Sequence, residues 1–180
     1  MITTIDLLIL DWIQNHLRCG LLDRLVPAIT MLGEAGWIWI LLALCLLIPR
    51  KTRKYGLAVS IALVVDLLLC NVLLKPLVAR PRPYTHRPDI ILLVKKLRDY
   101  SFPSGHAAAS FAAASALAFS HCRHWRPAVV LAVLISLSRL YLYVHYPSDV
   151  LCGALLGILC GLIGAFCSKK VVKKCRKKTN

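Results

Sequence analysis

Three short polar clusters interrupt an otherwise apolar chain, and each holds residue types suited to phosphate chemistry. "KPLVARPRP" sets Lys75 and Arg82 seven positions apart, with Pro83 next. "PSGH" covers Pro103, Ser104, Gly105 and His106, and "SRLYLYVHYPSD" holds Ser138, Arg139, His145 and Asp149. Lys75, Arg82 and Arg139 are cations whose proximity only an anion makes tolerable. Arg offers a planar fork matched to phosphate oxygens, and Lys a point charge. Ser104 and Gly105 open a helix, where free backbone N–H groups and the macrodipole favour an anion. Gly105 also lets a ligand approach the backbone closely. His145 and Asp149 are four apart, with Pro147 and Ser148 turning into a helix between them. A carboxylate on one ring nitrogen fixes the tautomer and leaves the other nitrogen nucleophilic. His106 can then protonate the leaving oxygen as a general acid. The set reads as a phosphoryl-transfer site with no metal ligand and no cofactor, its cations stabilising charge as Mg²⁺ does elsewhere.

These clusters must be positioned by helices in a membrane. The 180 residues are 58% hydrophobic, with a mean hydropathy of +0.68, and several apolar stretches approach the ~20 residues needed to cross a ~30 Å hydrocarbon layer. The expected fold is all-α: a polytopic helix bundle of about five transmembrane helices in one domain, 1–180, with a motif core at 75–149. Residues 2–17 set Ile2, Ile5, Ile9, Trp12, Ile13 and Leu17 on one helical face, which predicts an N-terminal interfacial helix. No basic stretch precedes that segment, so it is not read as a cleaved signal. A short segment, 21–32, follows. Crossings are expected at about 33–49, 55–79, 104–121, 127–144 and 149–168, with a Pro- and Arg-rich loop at 80–103. Loops of that length are often functional.

Charge orients the bundle. The net charge is +15, with four basic residues in the turn 50–54, two in 122–126 and seven in the tail 169–180. All three lie on one side if five crossings hold, which assigns that side and the C-terminus to the cytoplasm. The three polar clusters then share the opposite, extracytoplasmic face of the membrane. The loop 80–103 is itself basic, a conflict that resolves if some of its charges bind a ligand. Attraction to anionic lipid headgroups accounts for the remaining excess, and no nucleic-acid surface is expected. The eight cysteines form no CxxC pair and read as small packing residues. "GALLGILCGLIG" puts Gly153, Gly157 and Gly161 on one face, suited to close helix packing in the bundle and offering a homodimer contact.

Plainer readings exist for each residue. Lys75 and Arg82 could snorkel to headgroups, and Ser104 could be a simple N-cap. Arg139, inside an apolar run, could pair structurally with Asp149. The convergence of all three clusters on one surface outweighs these. Asp66 and Asn71, in the second crossing, have no role that the sequence assigns.

The three clusters, matched in order and without departure, resemble the three-part signature of the type 2 phosphatidic acid phosphatase family, which shares its site with vanadium haloperoxidases. The resemblance implies that His145 attacks phosphorus and becomes a phosphohistidine, supported by Asp149. It implies that His106 protonates the leaving group and then helps activate water. Lys75, Arg82, Ser104, Gly105 and Arg139 would hold the phosphate oxygens, without a divalent metal. The expected substrate is a membrane lipid entering sideways from the bilayer. Compact size and the "IT-MLGEAGWIWI" region, similar to small bacterial undecaprenyl diphosphate phosphatases, favour undecaprenyl diphosphate. Phosphatidic acid, phosphatidylglycerophosphate and lipid A phosphates stay open, as does a protein that binds or moves phospholipid without hydrolysis.

Overall fold

The computed structural model describes the backbone of residues 2–179 and the side chains of 3–174. The side chains of Ile2 and of Cys175 to Asn180, which include the end of the expected basic tail, lie outside the described residues. The described chain is all helical, without a strand. Helix α1 is Ile2–His16, α2 Gly20–Leu32, α3 Trp37–Leu47 and α4 Arg53–Asp66. The last continues through a π-helical stretch, Leu67–Leu74, into the single turn α5, Lys75–Val78. After the loop come α6 (Gly105–Phe119), α7 (Trp125–Tyr141) and α8 (Pro147–Thr179).

Among the described residues, three stretches are long and apolar enough to cross a membrane: 20–47, 53–85 and 147–174. Helices α6 and α7 are shorter, at 15 and 17 residues. α6 is packed against α4, α7 and α8. The first of these apolar stretches therefore begins at Gly20 and takes in the segment 21–32 expected to be separate. It bends at 33–36, where Ala35 and Gly36 adopt left-handed backbone, φ 48° and 68°. An apolar reading of "MLGEAGWIWI" sees only a helix start there.

Alanine makes α6 the axis of the bundle. Ala107, Ala108, Ala112, Ala113, Ala114 and Ala116 are fully buried, small enough to let three neighbours approach. α8 runs parallel to α6 on one side through its glycines. A Cβ on Gly153 would lie 2.6 Å from Ser104 O, on Gly157 2.3 Å from Ala108 O, and on Gly161 1.9 Å from Ser115 Oγ. This corrects the homodimer contact expected of that face: α6 of the same chain fills it. Gly157→Ala is expected to push the two backbones apart and cost about 1–3 kcal/mol, read as a lower unfolding temperature in detergent.

Helix α1 lies across the end of the bundle rather than through it. Asp6 accepts from Ser148 N–H (3.0 Å), Asp11 from the Tyr143 hydroxyl (2.6 Å), and Gln14 Nε2 donates to Tyr141 O (2.7 Å). All three partners sit where α7 ends and α8 begins. Ile5, Leu8 and Trp12 stay exposed on the other side, as an interfacial helix requires.

Candidate active site

Backbone geometry assembles the site at that same end. Ser104 caps α6, its side chain accepting from Ala107 N–H, and its own N–H donates to Asp149 O at 3.1 Å. The starts of α6 and α8 are thus joined. The helix carrying Lys75 ends at Ala79, which is left-handed (φ 48°), and the chain turns into extended backbone at Arg82.

His145 is buried at 1% exposure. Its Nε2 lies 3.2 Å from Arg82 Nη1. A guanidinium can only donate, so Nε2 carries the lone pair and Nδ1 the proton. That Nδ1 faces Asp149 Oδ2 at 3.6 Å, an ion-pair separation longer than a hydrogen bond. Burial pushes the imidazole down to about 3, against the pull of Asp149 and with the help of Arg82 and Arg139. A neutral ring with its lone pair on Nε2 is the form that can attack phosphorus.

Arg82, also buried, spreads its fork over several acceptors. Nη1 donates to Val144 O (2.7 Å), Nη2 to Asp99 Oδ1 (2.6 Å), and Nε to Asp99 O (2.9 Å). Lys75 Nζ donates to the other Asp99 oxygen. Arg139 donates to Thr30 Oγ1 at 2.5 Å, while its Nε has no partner. His106 Nε2 is likewise buried without a hydrogen bond, with Glu34 Oε2 at 3.7 Å. Gly105 leaves room where a Cβ would sit 3.2 Å from Asn71 Oδ1 and 3.9 Å from Lys75 Nζ.

Lys75, Arg82, Gly105, His106, Arg139 and His145 all line one cavity of about 550 Å³. Asp149 and Ser104 stand behind it, fully buried. All eight residues singled out in the sequence are brought together. Among the described residues, no three His, Cys, Asp or Glu side chains form a metal-ligand group. The cavity continues between α3 and α4, where Ile40, Leu44, Leu63, Val64 and Leu67 line it.

Two charged residues at this site were not found by motif. Asp99 lies between Lys75 and Arg82, with one carboxylate oxygen on each. Arg80 binds Asp149 Oδ1 (2.6 Å), Ser148 Oγ (2.8 Å) and Asp6 Oδ2 (2.8 Å), over the Tyr146 ring at 3.8 Å. Asp149 also accepts from Ser101 Oγ and from Tyr146 N–H at 3.0 Å. Only the position of Arg80 in "KPLVARPRP", between the two expected cations, hinted at it. Arg80→Ala leaves Asp6 and Asp149 as buried carboxylates without their cation. The expected cost is about 3 kcal/mol or more, measured as denaturation midpoint, with Arg80→Lys recovering only part because the fork is lost.

The family model described as the PAP2 superfamily matches residues 53–173, which contain every one of the eight. The chain belongs to the PAP2 superfamily. Curated PAP2 relatives include the undecaprenyl-diphosphatase of Sulfolobus acidocaldarius, 37% identical over 79% of this chain and 69% of that protein. The undecaprenyl-diphosphatase BcrC of Bacillus subtilis is 29% identical over 80% of this chain and 74% of its own length. Among solved structures, Aquifex aeolicus LpxE superposes with a TM-score of 0.76 at 34% identity, covering 87% of this chain and 92% of that one. The PAP2-type phosphatidylglycerolphosphate phosphatase from Bacillus subtilis gives 0.74 at 29% identity, covering 95% and 86%. This PAP2 protein is an integral-membrane phosphatase with the architecture of lipid phosphatases.

Proposed function

We propose that this PAP2 phosphatase converts undecaprenyl diphosphate to undecaprenyl phosphate and inorganic phosphate. One observation carries the lipid reading: the cationic end of the cavity is continuous with an apolar cleft between α3 and α4. A prenyl or acyl chain can lie in that cleft, facing hydrocarbon, while its phosphate meets Lys75, Arg82 and Arg139. The two undecaprenyl-diphosphatase relatives favour the prenyl diphosphate.

His145 Nε2 attacks the terminal phosphorus as its bond to the bridging oxygen breaks. His106 protonates that oxygen where the leaving group needs it. Lys75, Arg82, Arg139 and the Ser104–Gly105 backbone stabilise the charge on the transferring group. Water then attacks the phosphohistidine, passing a proton to His106, and phosphate leaves. Asp149 keeps the proton on Nδ1 throughout. The basic turns and tail support the reading that this chemistry lies on the extracytoplasmic face of the membrane.

The test is phosphate release by purified full-length protein in detergent containing EDTA. Undecaprenyl diphosphate is compared with glycerol 3-phosphate, a water-soluble ester. Turnover of the lipid at least about 100-fold more efficient than of the soluble ester is expected, from burial of the chain in the cleft. Equal turnover of the two would remove the lipid reading. Binding of the lipid without phosphate release would favour a lipid carrier.

A further inference from the structure

Asp66 is the buried group that the reaction above does not use. It is 2% exposed, it lines the catalytic cavity, and its Oδ1 has no hydrogen-bond partner among the described residues. A carboxyl group in that state, deep in an apolar helix, is costly unless something polar reaches it. Lys75, the cation on its own helix that also lines the cavity, is engaged by Asp99.

The backbone around Asp66 is shaped to present it. In an α-helix of 3.6 residues per turn, Asp66 and Asn71, five apart, would point in well-separated directions. The stretch Leu67–Leu74 is π-helical, and its wider turn brings Asp66, Asn71 and Lys75 onto one wall of the cavity. Asn71 reaches the phosphate end, with its Oδ1 3.2 Å from where a Cβ on Gly105 would stand. Leu63, Val64 and Leu67 line the same cavity beside Asp66. The polar wall runs from Lys75 through Asn71 to Asp66, along about two helical turns. That is more than a bare phosphate fills, and it suits a phosphate followed by a polar linker.

We infer that Asp66 and Asn71 form a subsite for a hydroxyl-bearing linker between the scissile phosphate and the lipid tail. The cavity then accepts lipid phosphomonoesters carried on a polyol, a glycerol or a sugar, beside prenyl diphosphates. A hydroxyl suits Asp66 in either form, donating to a carboxylate and accepting from a carboxylic acid. The primary amide of Asn71 can likewise donate and accept. This rests on the lipid-phosphatase reading and extends it by naming what the cavity reads between phosphate and tail.

The experiment compares two substrates that differ by one hydroxyl: 1-oleoyl-lysophosphatidic acid and its 2-deoxy analogue, oleoyl-propanediol phosphate. Full-length protein in detergent is assayed for phosphate release, with undecaprenyl diphosphate as a third substrate. Wild type is expected to favour the hydroxyl substrate in kcat/KM by about tenfold or more, because a site built for a hydroxyl rejects the analogue lacking it. Asp66→Leu should bring that ratio close to one, and Asp66→Asn should keep most of it. Asn71→Ala, at an exposed cavity position, gives the same reading if Asp66→Leu does not fold, with the ratio again falling. A wild-type ratio near one overturns the subsite. So does turnover of undecaprenyl diphosphate with neither monoester accepted, although that leaves the proposed function standing. If none of the three lipids releases phosphate, both inferences fall.

Discussion

His145→Ala is expected to release phosphate at least about 10⁴-fold more slowly than wild type, the scale on which removal of a catalytic nucleophile acts. The ring is held for attack from both sides: Arg82 donates to Nε2, which fixes the lone pair there, and Asp149 stands opposite Nδ1. Ser104 is fully buried and occupied as the α6 cap, and the cavity's other imidazole, His106, faces Glu34. The intermediate makes the expectation sharper. Phosphohistidine survives base and is lost in acid, so wild type quenched during turnover of a lipid labelled on its terminal phosphate should carry base-stable label, and His145→Ala none. His106→Ala should behave differently with different leaving groups. A phosphate leaving from a diphosphate needs little protonation, so the first step survives and the water step stalls. Labelled enzyme should accumulate with undecaprenyl diphosphate. With an alkyl phosphomonoester, whose alkoxide needs the proton, both steps slow by about 10²–10⁴ and no label builds up. Retention of full activity in His145→Ala would sink the phosphohistidine mechanism.

The chemistry was legible in the sequence because each cluster sits at a helix end, and an even number of crossings between clusters sends those ends to one surface. Lys75, Arg82, His106, Arg139 and His145 needed only topology to meet. The glycine stripe was legible as a packing face, and its partner turned out to be α6. The charges that complete the site were not legible. Arg80 and Asp6 are 74 residues apart and Asp99 lies 17 from Arg82. All three pair through tertiary structure, which leaves no period in the sequence. The π stretch is hidden for a related reason. "LLLCNVLL" reads as plain apolar helix, and only the cavity beside it explains why Asp66, Asn71 and Lys75 share a wall. The bend at 33–36 is similar: it carries Gly33 and Glu34 to the cavity, whereas hydropathy alone makes it the start of a crossing.

Arg82→Lys should be nearly as damaging as Arg82→Ala, with kcat/KM down about 10²–10³-fold in each, the range for losing a donor to the transition state. Charge is kept in the Lys variant, but shape is not. Arg82 holds the Asp99 carboxylate, the Asp99 and Val144 carbonyls and the His145 ring at one time, and a single ammonium cannot span them. Asp99→Asn should act in the opposite direction on binding. Its carboxylate bridges Lys75 and Arg82, so in the proposed reaction an incoming phosphate must displace it from them. Burial works against that carboxylate, yet the hydrogen bond from Lys75 and the charges of Arg82 and Lys75 outweigh it and hold it at about 2. It is therefore ionised, and competes, at any working pH. The stability it gives the ligand-free site is full above about pH 4, where an unfolded Asp is ionised, and is lost as pH falls through about 2. Inorganic phosphate should inhibit Asp99→Asn at lower concentration than wild type, and KM for the lipid should fall. A KM that rises in Asp99→Asn would show instead that Asp99 orients the two cations for the substrate, and Arg82→Lys within a few-fold of wild type would show that charge alone suffices.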